Sequence, residues 1–140
     1  MARKVYYFDM DGVLCNFHKE KYCYANAISR EWIANLDPFM ENVNLVRNLI
    51  NENKSGVYIL SRAASEEAKQ GKMDWLAKYI PELKAERVII LVKASNKDKV
   101  RNMKTKTGIL VDDDPKNLKY WMEEGHEGIL VEYKGATVVL

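Results

Sequence analysis

Apolar positions along the 140-residue chain fall into two kinds of pattern. Short runs of Val, Ile, Leu and Tyr without polar alternation are typical of strands that are buried on both faces of a sheet. Five runs of this kind lie at residues 4–10, 56–61, 87–92, 108–113 and 128–133. Residues 136–140 are a further, shorter candidate strand.

The segments between these runs carry helix signals. Asp37 followed by Pro38 predicts an N-cap and a first helical position, and the same pair recurs at Asp114 and Pro115. Strands that alternate with helices predict an α/β fold, with a central parallel sheet of about five strands, flanking helices and right-handed crossovers. We therefore expect one domain over residues 1–140.

One connection is longer than this alternation requires. Some twenty residues separate Leu14 from Asp37, more than a typical loop between a strand and a helix. We expect the insertion, at about 15–36, to form a small helix or helical pair over the strand ends, as a minimal cap.

Composition narrows the function classes. The chain is 47% hydrophobic and 30% charged, with a net charge of +2 and no basic run, so nucleic acid is not expected as its main partner. No apolar run approaches the roughly 20 residues of a membrane span, and the N-terminus does not resemble a signal peptide. Cys15 and Cys23 are expected to be reduced structural thiols in a cytoplasmic protein. The oligomeric state stays open, a homodimer included.

The first strand ends in an unusual way. Asp9 and Asp11 follow its apolar residues directly, and Gly12 comes next. Carboxylates so close together at the end of a buried strand repel each other and resist desolvation. A metal ion, a chemical role or simple exposure in a turn would make them tolerable there.

Polar side chains also end the other strands. Ser61 closes the second strand, Asp112 and Asp113 close the fourth, and lysines including Lys97 and Lys99 follow the third. Ligands of open parallel sheets bind outside the carboxyl ends of the strands, so these groups are expected to converge. Carboxylates from two strands form a hard oxygen site suited to Mg²⁺ and a substrate phosphate.

This set of groups suits phosphoryl transfer. Asp9 can attack phosphorus and form an aspartyl-phosphate, and Asp11 can protonate the leaving oxygen and later activate water. Ser61 and a lysine would bind the non-bridging oxygens, where the transition-state charge lies. Gly12 would let the chain turn tightly beside the phosphate.

Four segments in this order, DMDGVL, ILS, a lysine after the third strand and LVDDD, resemble the four motifs of the haloacid dehalogenase-like (HAD) hydrolase superfamily. WIANLDPFMENV, VYILSR, MDWLAKYIP and ILVDDDPKNL are further similar to the 5′(3′)-deoxyribonucleotidase family, also called 5′-nucleotidase type C. The resemblance implies a Rossmann-like core and Mg²⁺-dependent hydrolysis of nucleoside monophosphates.

The resemblance also implies roles for single residues. Asp9 would be the nucleophile and a metal ligand, and Asp11 the general acid/base, with its backbone carbonyl on the metal. Asp112 would be a metal ligand with Asp113 beside it, and Ser61 would be the phosphate-binding hydroxyl.

Two points differ from the family pattern. The insertion after the first strand is shorter than in fuller-length members, whose cap supplies much of the base pocket, and Trp32 and Phe39 are the candidates for stacking on a base. The motif lysine is ambiguous: Lys97 is expected, with Lys99 and Lys93 as rivals.

Two alternatives remain open. A small cap leaves the site accessible, so a phosphatase acting on sugar phosphates or on polynucleotide ends is the first. The second is a phospho-accepting, Mg²⁺-binding regulatory module. Such modules use a single Asp on an internal strand, whereas here the paired carboxylates Asp9 and Asp11 follow the first strand.

Overall fold

The computed structural model describes residues 3–17 and 24–140. Its strands form one parallel sheet in the order β3-β2-β1-β4-β5. This is the predicted α/β architecture, with β1 and β4 side by side in the sheet. The strand bounds are β1 Val5–Phe8, β2 Gly56–Ala63, β3 Val88–Val92, β4 Ile109–Asp112 and β5 Glu127–Leu130.

Helices cover both faces of the sheet. Their bounds are α1 Tyr24–Ala27, α2 Arg30–Ala34, α3 Met40–Glu52, α4 Glu66–Tyr79, α5 Asp98–Arg101 and α6 Pro115–Glu123, with a 3-10 turn at Ala85–Arg87. Within the described residues, no helix combines the length and the hydrophobicity that crossing a membrane requires.

Alternating residues of β1 divide the core into two halves. Tyr6 and Phe8 pack into the cluster that includes Trp75 of α4, whereas Tyr7 packs on the other face with Trp121 of α6. Both indole nitrogens are satisfied: Trp75 donates to the Leu36 carbonyl at 2.8 Å, and Trp121 to the Gly108 carbonyl at 3.0 Å. Successive side chains of a strand point to opposite faces of the sheet. Because both faces are buried here, the strand is apolar throughout.

The structure describes residues 15–17 and 24–36 of the insertion, and 24–36 contains α1 and α2. Helix α2 packs closely on α4 because Gly71 has no side chain: a Cβ there would lie 2.5 Å from the Arg30 carbonyl oxygen. Arg30 also pairs with Asp74 of α4, with Nε 2.7 Å from Oδ2. The remainder of the predicted cap, residues 18–23, lies outside the described residues.

The two predicted helix starts differ in outcome. Asp114 accepts a hydrogen bond from the Lys116 amide at 2.9 Å and caps α6, as predicted. The prediction at Asp37 is wrong, because the N-cap of α3 is Phe39, two residues later, and the helix begins at Met40. The segment before α3 pairs instead with the chain after β1: the Asn16 amide donates to the Asp37 carbonyl at 2.8 Å.

Residues 136–140 are described and do not form the further strand. The buried side chain of Asn42 satisfies this segment instead, donating to the Ala136 carbonyl at 2.9 Å and accepting from the Val138 amide at 2.8 Å. The same Asn42 amide donates to the Val13 carbonyl at 2.9 Å. The C-terminal segment is therefore tied to the loop after β1.

Candidate active site

A tight loop follows β1 and presents its carboxylates. The Met10 carbonyl accepts hydrogen bonds from the amides of Val13, Leu14 and Cys15, which turns the chain back on itself. Gly12 has φ +83°, and the Asp113 carboxylate occupies the space where a Cβ would be. Both the left-handed backbone and this close approach require glycine.

Strands β1 and β4 bring three carboxylates together. The Asp9 amide donates to the Val111 carbonyl at 2.9 Å, which extends the strand pairing to the sheet edge. Asp9, Asp112 and Asp113 each offer an oxygen, and these oxygens all lie within 4.8 Å of one another. Such a set of hard oxygen ligands fits a divalent cation such as Mg²⁺.

The pKa values of two of these carboxyl groups are raised. Burial raises the pKa of Asp112 to about 6, with a further contribution from the charge of Asp9. Burial also raises the pKa of Asp113 to about 7, and the charges of Asp9, Asp112 and Asp11 add to it. A cation bound among these groups would relieve both the repulsion and the desolvation.

Lys99 bridges the two strand ends. Its ammonium nitrogen lies 3.0 Å from Asp9 Oδ1 and 2.7 Å from Asp112 Oδ2, and the side chain is only 1% exposed. Burial alone would lower the lysine pKa, but Asp9 and Asp112 outweigh it and leave the pKa raised. Lys99 is therefore held in its charged form.

The structure does not bring Lys97, the lysine expected from the motif pattern, to the carboxylates. Its Nζ lies 5.4 Å from the centre of the Tyr120 ring, over an exposed face of α6. The side chains of residues two apart on a helix are rotated by about 200° about the helix axis, so they lie on nearly opposite sides. Only one of Lys97 and Lys99 can therefore face the sheet edge, and it is Lys99.

Asn117 supports this arrangement and was not anticipated. It is buried in the first turn of α6, and its Nδ2 donates to Asp112 Oδ2 at 3.0 Å. Asn96 fixes the orientation of this amide by donating to its Oδ1 at 2.7 Å. The sequence did contain a signal for this contact. Asn117 comes five residues after the strand-end Asp112, on a helix that packs back on the sheet.

A second buried lysine lies beside Asp11. Lys72 of α4 donates to Ser61 Oγ at 2.7 Å, to Asp11 Oδ2 at 3.1 Å and to the Arg62 carbonyl at 2.7 Å. Ser61 is fully buried behind this contact. The sequence contained a signal for Lys72, because it stands in the apolar stripe of α4: Ala68, Gly71, Lys72, Trp75 and Leu76.

A cavity of about 250 Å³ opens onto this edge of the sheet. Asp9, Asp11, Asp113, Asp114 and Lys99 line it, together with further residues that carry no carboxylate. These are Gly12, Phe17, Arg62, Asn117 and Lys134. Charged groups at its base and an aromatic ring at its wall suit a ligand that is anionic at one end.

The two aromatic candidates have different surroundings. Trp32 packs edge-on against Phe17, with ring centres 5.2 Å apart, and it is Phe17 that lines the cavity. The Phe39 ring packs against Gly135. Phe17 was missed because it follows the first motif without any periodic pattern of its own.

Cys15 is a free, fully buried thiol, as expected of a structural cysteine. Burial raises its pKa well above the usual range, and the charge of Asp11 adds to this. Its S–H donates to Asp11 Oδ1 at 3.5 Å. Cys23 lies outside the described residues.

A cleft of about 380 Å³ at the opposite end of the strands has a different character. Arg3 there donates to Asn53 at 3.0 Å and to the Ser55 carbonyl at 2.9 Å. Glu82, which also lines it, is paired with Arg47 at 2.9 Å. Its charged groups are thus largely satisfied within the protein, and it lacks the carboxylate cluster.

A family model described as 5′ nucleotidase, deoxy (Pyrimidine), cytosolic type C protein matches residues 18–136. The chain belongs to this family. The matched residues begin after the first motif and do not include Asp9 or Asp11. No curated protein sequence matches the chain.

Solved structures show that the chain has a HAD-like fold. A chain of the Pnkp1/Rnl/Hen1 complex superposes with a TM-score of 0.68 at 14% identity, covering 92% of this chain but only 45% of that one. The HAD family enzyme BT-2542 from Bacteroides thetaiotaomicron, in complex with magnesium and inorganic phosphate, superposes with a TM-score of 0.62. Its identity is 16%, and the match covers 92% of this chain and 94% of that chain.

Proposed function

We propose that this protein is a Mg²⁺-dependent phosphomonoesterase that acts through an aspartyl-phosphate on Asp9, with a (deoxy)nucleoside monophosphate as substrate. The observation that carries the proposal is the Lys99 bridge between Asp9 and Asp112, beside Asp113, at the base of the cavity. The family match supports the substrate class, and its description as cytosolic supports a cytoplasmic location.

The first chemical step is attack by Asp9 on phosphorus. Lys99 contacts Oδ1 of this carboxylate, and we assign Oδ2 as the attacking atom. A bond forms between Asp9 Oδ2 and phosphorus while the bond from phosphorus to the ester oxygen breaks. Asp11 donates its proton to the departing oxygen, which leaves as an alcohol.

The second step returns the enzyme to its starting state. Asp11, now a carboxylate, takes a proton from a water molecule, whose oxygen attacks the phosphorus of the aspartyl-phosphate. The bond from Asp9 to phosphorus breaks, inorganic phosphate leaves, and Asp11 is again protonated. Asp11 lines the cavity with 34% of its side chain exposed, so a water molecule can reach it.

Two groups would hold the non-bridging oxygens in both steps. Lys99 lines the cavity and donates to two acceptors among the described residues, which leaves one of its three N–H groups for the phosphate. The Ser61 hydroxyl is the other candidate donor. Mg²⁺, when bound by the carboxylates of Asp9, Asp112 and Asp113 and the Asp11 carbonyl, would neutralise the phosphate charge.

A second candidate function is supported by the cations of the cavity. Arg62 and Lys134 line it in addition to Lys99, and they would favour a substrate with a further phosphate, such as a polynucleotide end. The Phe17–Trp32 ring pair instead favours a single base attached to the phosphate.

A phosphate-release screen separates these functions. We expect turnover of nucleoside monophosphates with Mg²⁺ to exceed that of sugar phosphates by at least about tenfold in kcat/KM. The panel contains 5′ and 3′ deoxynucleoside monophosphates, sugar phosphates and a 3′-phosphorylated oligonucleotide, each repeated with Asp9→Asn protein to detect contaminating phosphatases. Comparable turnover of sugar phosphates contradicts the nucleotidase assignment, and a preference for the oligonucleotide supports the second candidate.

Metal binding has a predicted pH signature. Because the folded-state pKa of Asp113 is raised to about 7, metal-free protein is expected to lose stability as pH rises from about 4 to 7. Mg²⁺ should therefore raise the Tm more at pH 8 than at pH 5.5, where protons occupy the same carboxylates. Thermal unfolding with and without chelator at both pH values measures this. An equal Mg²⁺ effect at both would contradict binding at this cluster.

A further inference from the structure

The second buried lysine of the site has no role in the chemistry described so far. Lys72 is 2% exposed, and its ammonium group reaches three oxygen atoms on different parts of the chain. A buried lysine is costly unless its charge and all its N–H groups are satisfied. The question is therefore what this ammonium group does for the residues that it contacts.

Hydrogen-bond direction at Ser61 follows from the chemistry of lysine. A lysine ammonium has three donors and no acceptor, so Ser61 Oγ must accept the 2.7 Å hydrogen bond from Lys72. The hydroxyl then keeps its single proton for another partner. Within residues 3–17 and 24–140, the structure shows no acceptor for this proton. The contact with Lys72 therefore leaves this proton for a further acceptor, although Ser61 itself is buried and does not line the cavity.

The same ammonium group restrains Asp11. It donates to Oδ2 at 3.1 Å, while the Cys15 thiol donates to Oδ1 at 3.5 Å. With its third N–H on the Arg62 carbonyl at 2.7 Å, Lys72 has no donor left for a substrate. Lys99 differs, because it contacts two carboxylates and lines the cavity. The two buried lysines therefore have different tasks.

We propose that Lys72 is a positioning residue, which orients the Ser61 hydroxyl toward the substrate phosphate and holds the Asp11 carboxyl group for proton transfer. This inference rests on the proposed phosphatase function. Helix α4 carries Lys72 and packs on the insertion through Gly71, so the insertion supports the catalytic groups through this helix.

Lys72→Met tests the proposal, because it keeps the length of the side chain and removes the charge. We compare single-turnover release of the leaving group from a nucleoside monophosphate and from p-nitrophenyl phosphate. The nitrophenolate ion leaves without protonation, so it does not depend on Asp11. We expect the rate to fall about 100-fold for the nucleotide and about tenfold or less for the aryl ester.

The Ser61 part of the proposal is tested by a double-mutant cycle. If Lys72 acts through the Ser61 hydroxyl, Lys72→Met should slow the aryl ester much less in a Ser61→Ala background than in the wild type. Lys78→Met, an exposed lysine on the same helix, is the control and should leave both rates unchanged. Equal losses for both substrates, or full additivity with Ser61→Ala, would overturn the proposal.

A second pair of variants covers the case in which Lys72→Met does not fold. Asp11→Asn/Lys72→Met removes the unpaired carboxylate and is compared with Asp11→Asn alone by calorimetric titration with inorganic phosphate in Mg²⁺. We expect the Kd of phosphate to rise about five- to tenfold when the serine is no longer oriented. An unchanged Kd would overturn the proposal. Wild-type protein that hydrolyses no phosphomonoester would instead refute the proposed function.

Discussion

Replacing Asp9 by asparagine is expected to abolish phosphate release, with a loss of about 10⁴-fold or more in kcat. Asparagine has the same shape as aspartate but is a poor nucleophile, so the covalent step fails while the side chain keeps its volume. Lys99 retains Asp112 as a partner at 2.7 Å, so the fold should persist. Steady-state phosphate release and far-UV circular dichroism together measure the effect.

A matched control for this substitution is Asp74→Asn on α4. Asp74 is exposed and, among the described residues, pairs with Arg30 at the protein surface, so its loss should change kcat by less than about twofold. Mass spectrometry of acid-quenched turnover mixtures adds a direct readout, since wild-type protein should carry one phosphoryl group on the peptide containing Asp9. Substantial activity of Asp9→Asn, or a phosphoryl group elsewhere, would contradict the assignment of the nucleophile.

Lys99→Met is expected to lower the free energy of unfolding by about 3 kcal/mol in metal-free protein at neutral pH, and to remove activity. The lysine is 1% exposed and is the cation between Asp9 and Asp112, so methionine would leave two buried carboxylates facing each other. Urea unfolding in the presence of a chelator measures the loss. Added Mg²⁺ should restore part of it, because a bound cation takes over some of the neutralisation.

Lys97→Met is the matched control, since it makes the same chemical change two positions earlier on an exposed side chain. We expect its effect on the free energy of unfolding to stay within about 0.5 kcal/mol and its kcat to match the wild type. If Lys97→Met were the variant that lost activity, the assignment of Lys99 as the phosphate-binding lysine would be wrong.

The sheet could be predicted because the pattern that indicates each strand lies within a short segment of the chain. Each strand is a short apolar run, and a parallel sheet that is buried on both faces needs little more than such runs and the helices between them. The prediction failed where distant groups compete for the backbone. The chain after β1 pairs with residues 37–39 and displaces the helix start, and Asn42 takes the hydrogen bonds that a strand at 136–140 would have needed.

Site residues divide in the same way. The strand-end aspartates could be located because the carboxyl ends of parallel strands meet at one edge, whatever the details of packing. Choosing between Lys97 and Lys99 requires the rotation of α5, and Lys72 and Asn117 reach the site only through the packing of α4 and α6. Helix rotation depends on contacts with the whole sheet, which no short segment contains.

The sequence by itself determined the α/β class, the strand ends and the carboxylates on them. The spacing of apolar residues and the alternation of strands with helices can both be read along the chain. Only the tertiary structure decided which cations stand among those carboxylates and which ring lines the cavity. Lys72 and Lys99 lie on helices distant in sequence from Asp9, and Phe17 lies in the loop after β1. Desolvation in the folded state forces each buried charge to find its counterpart.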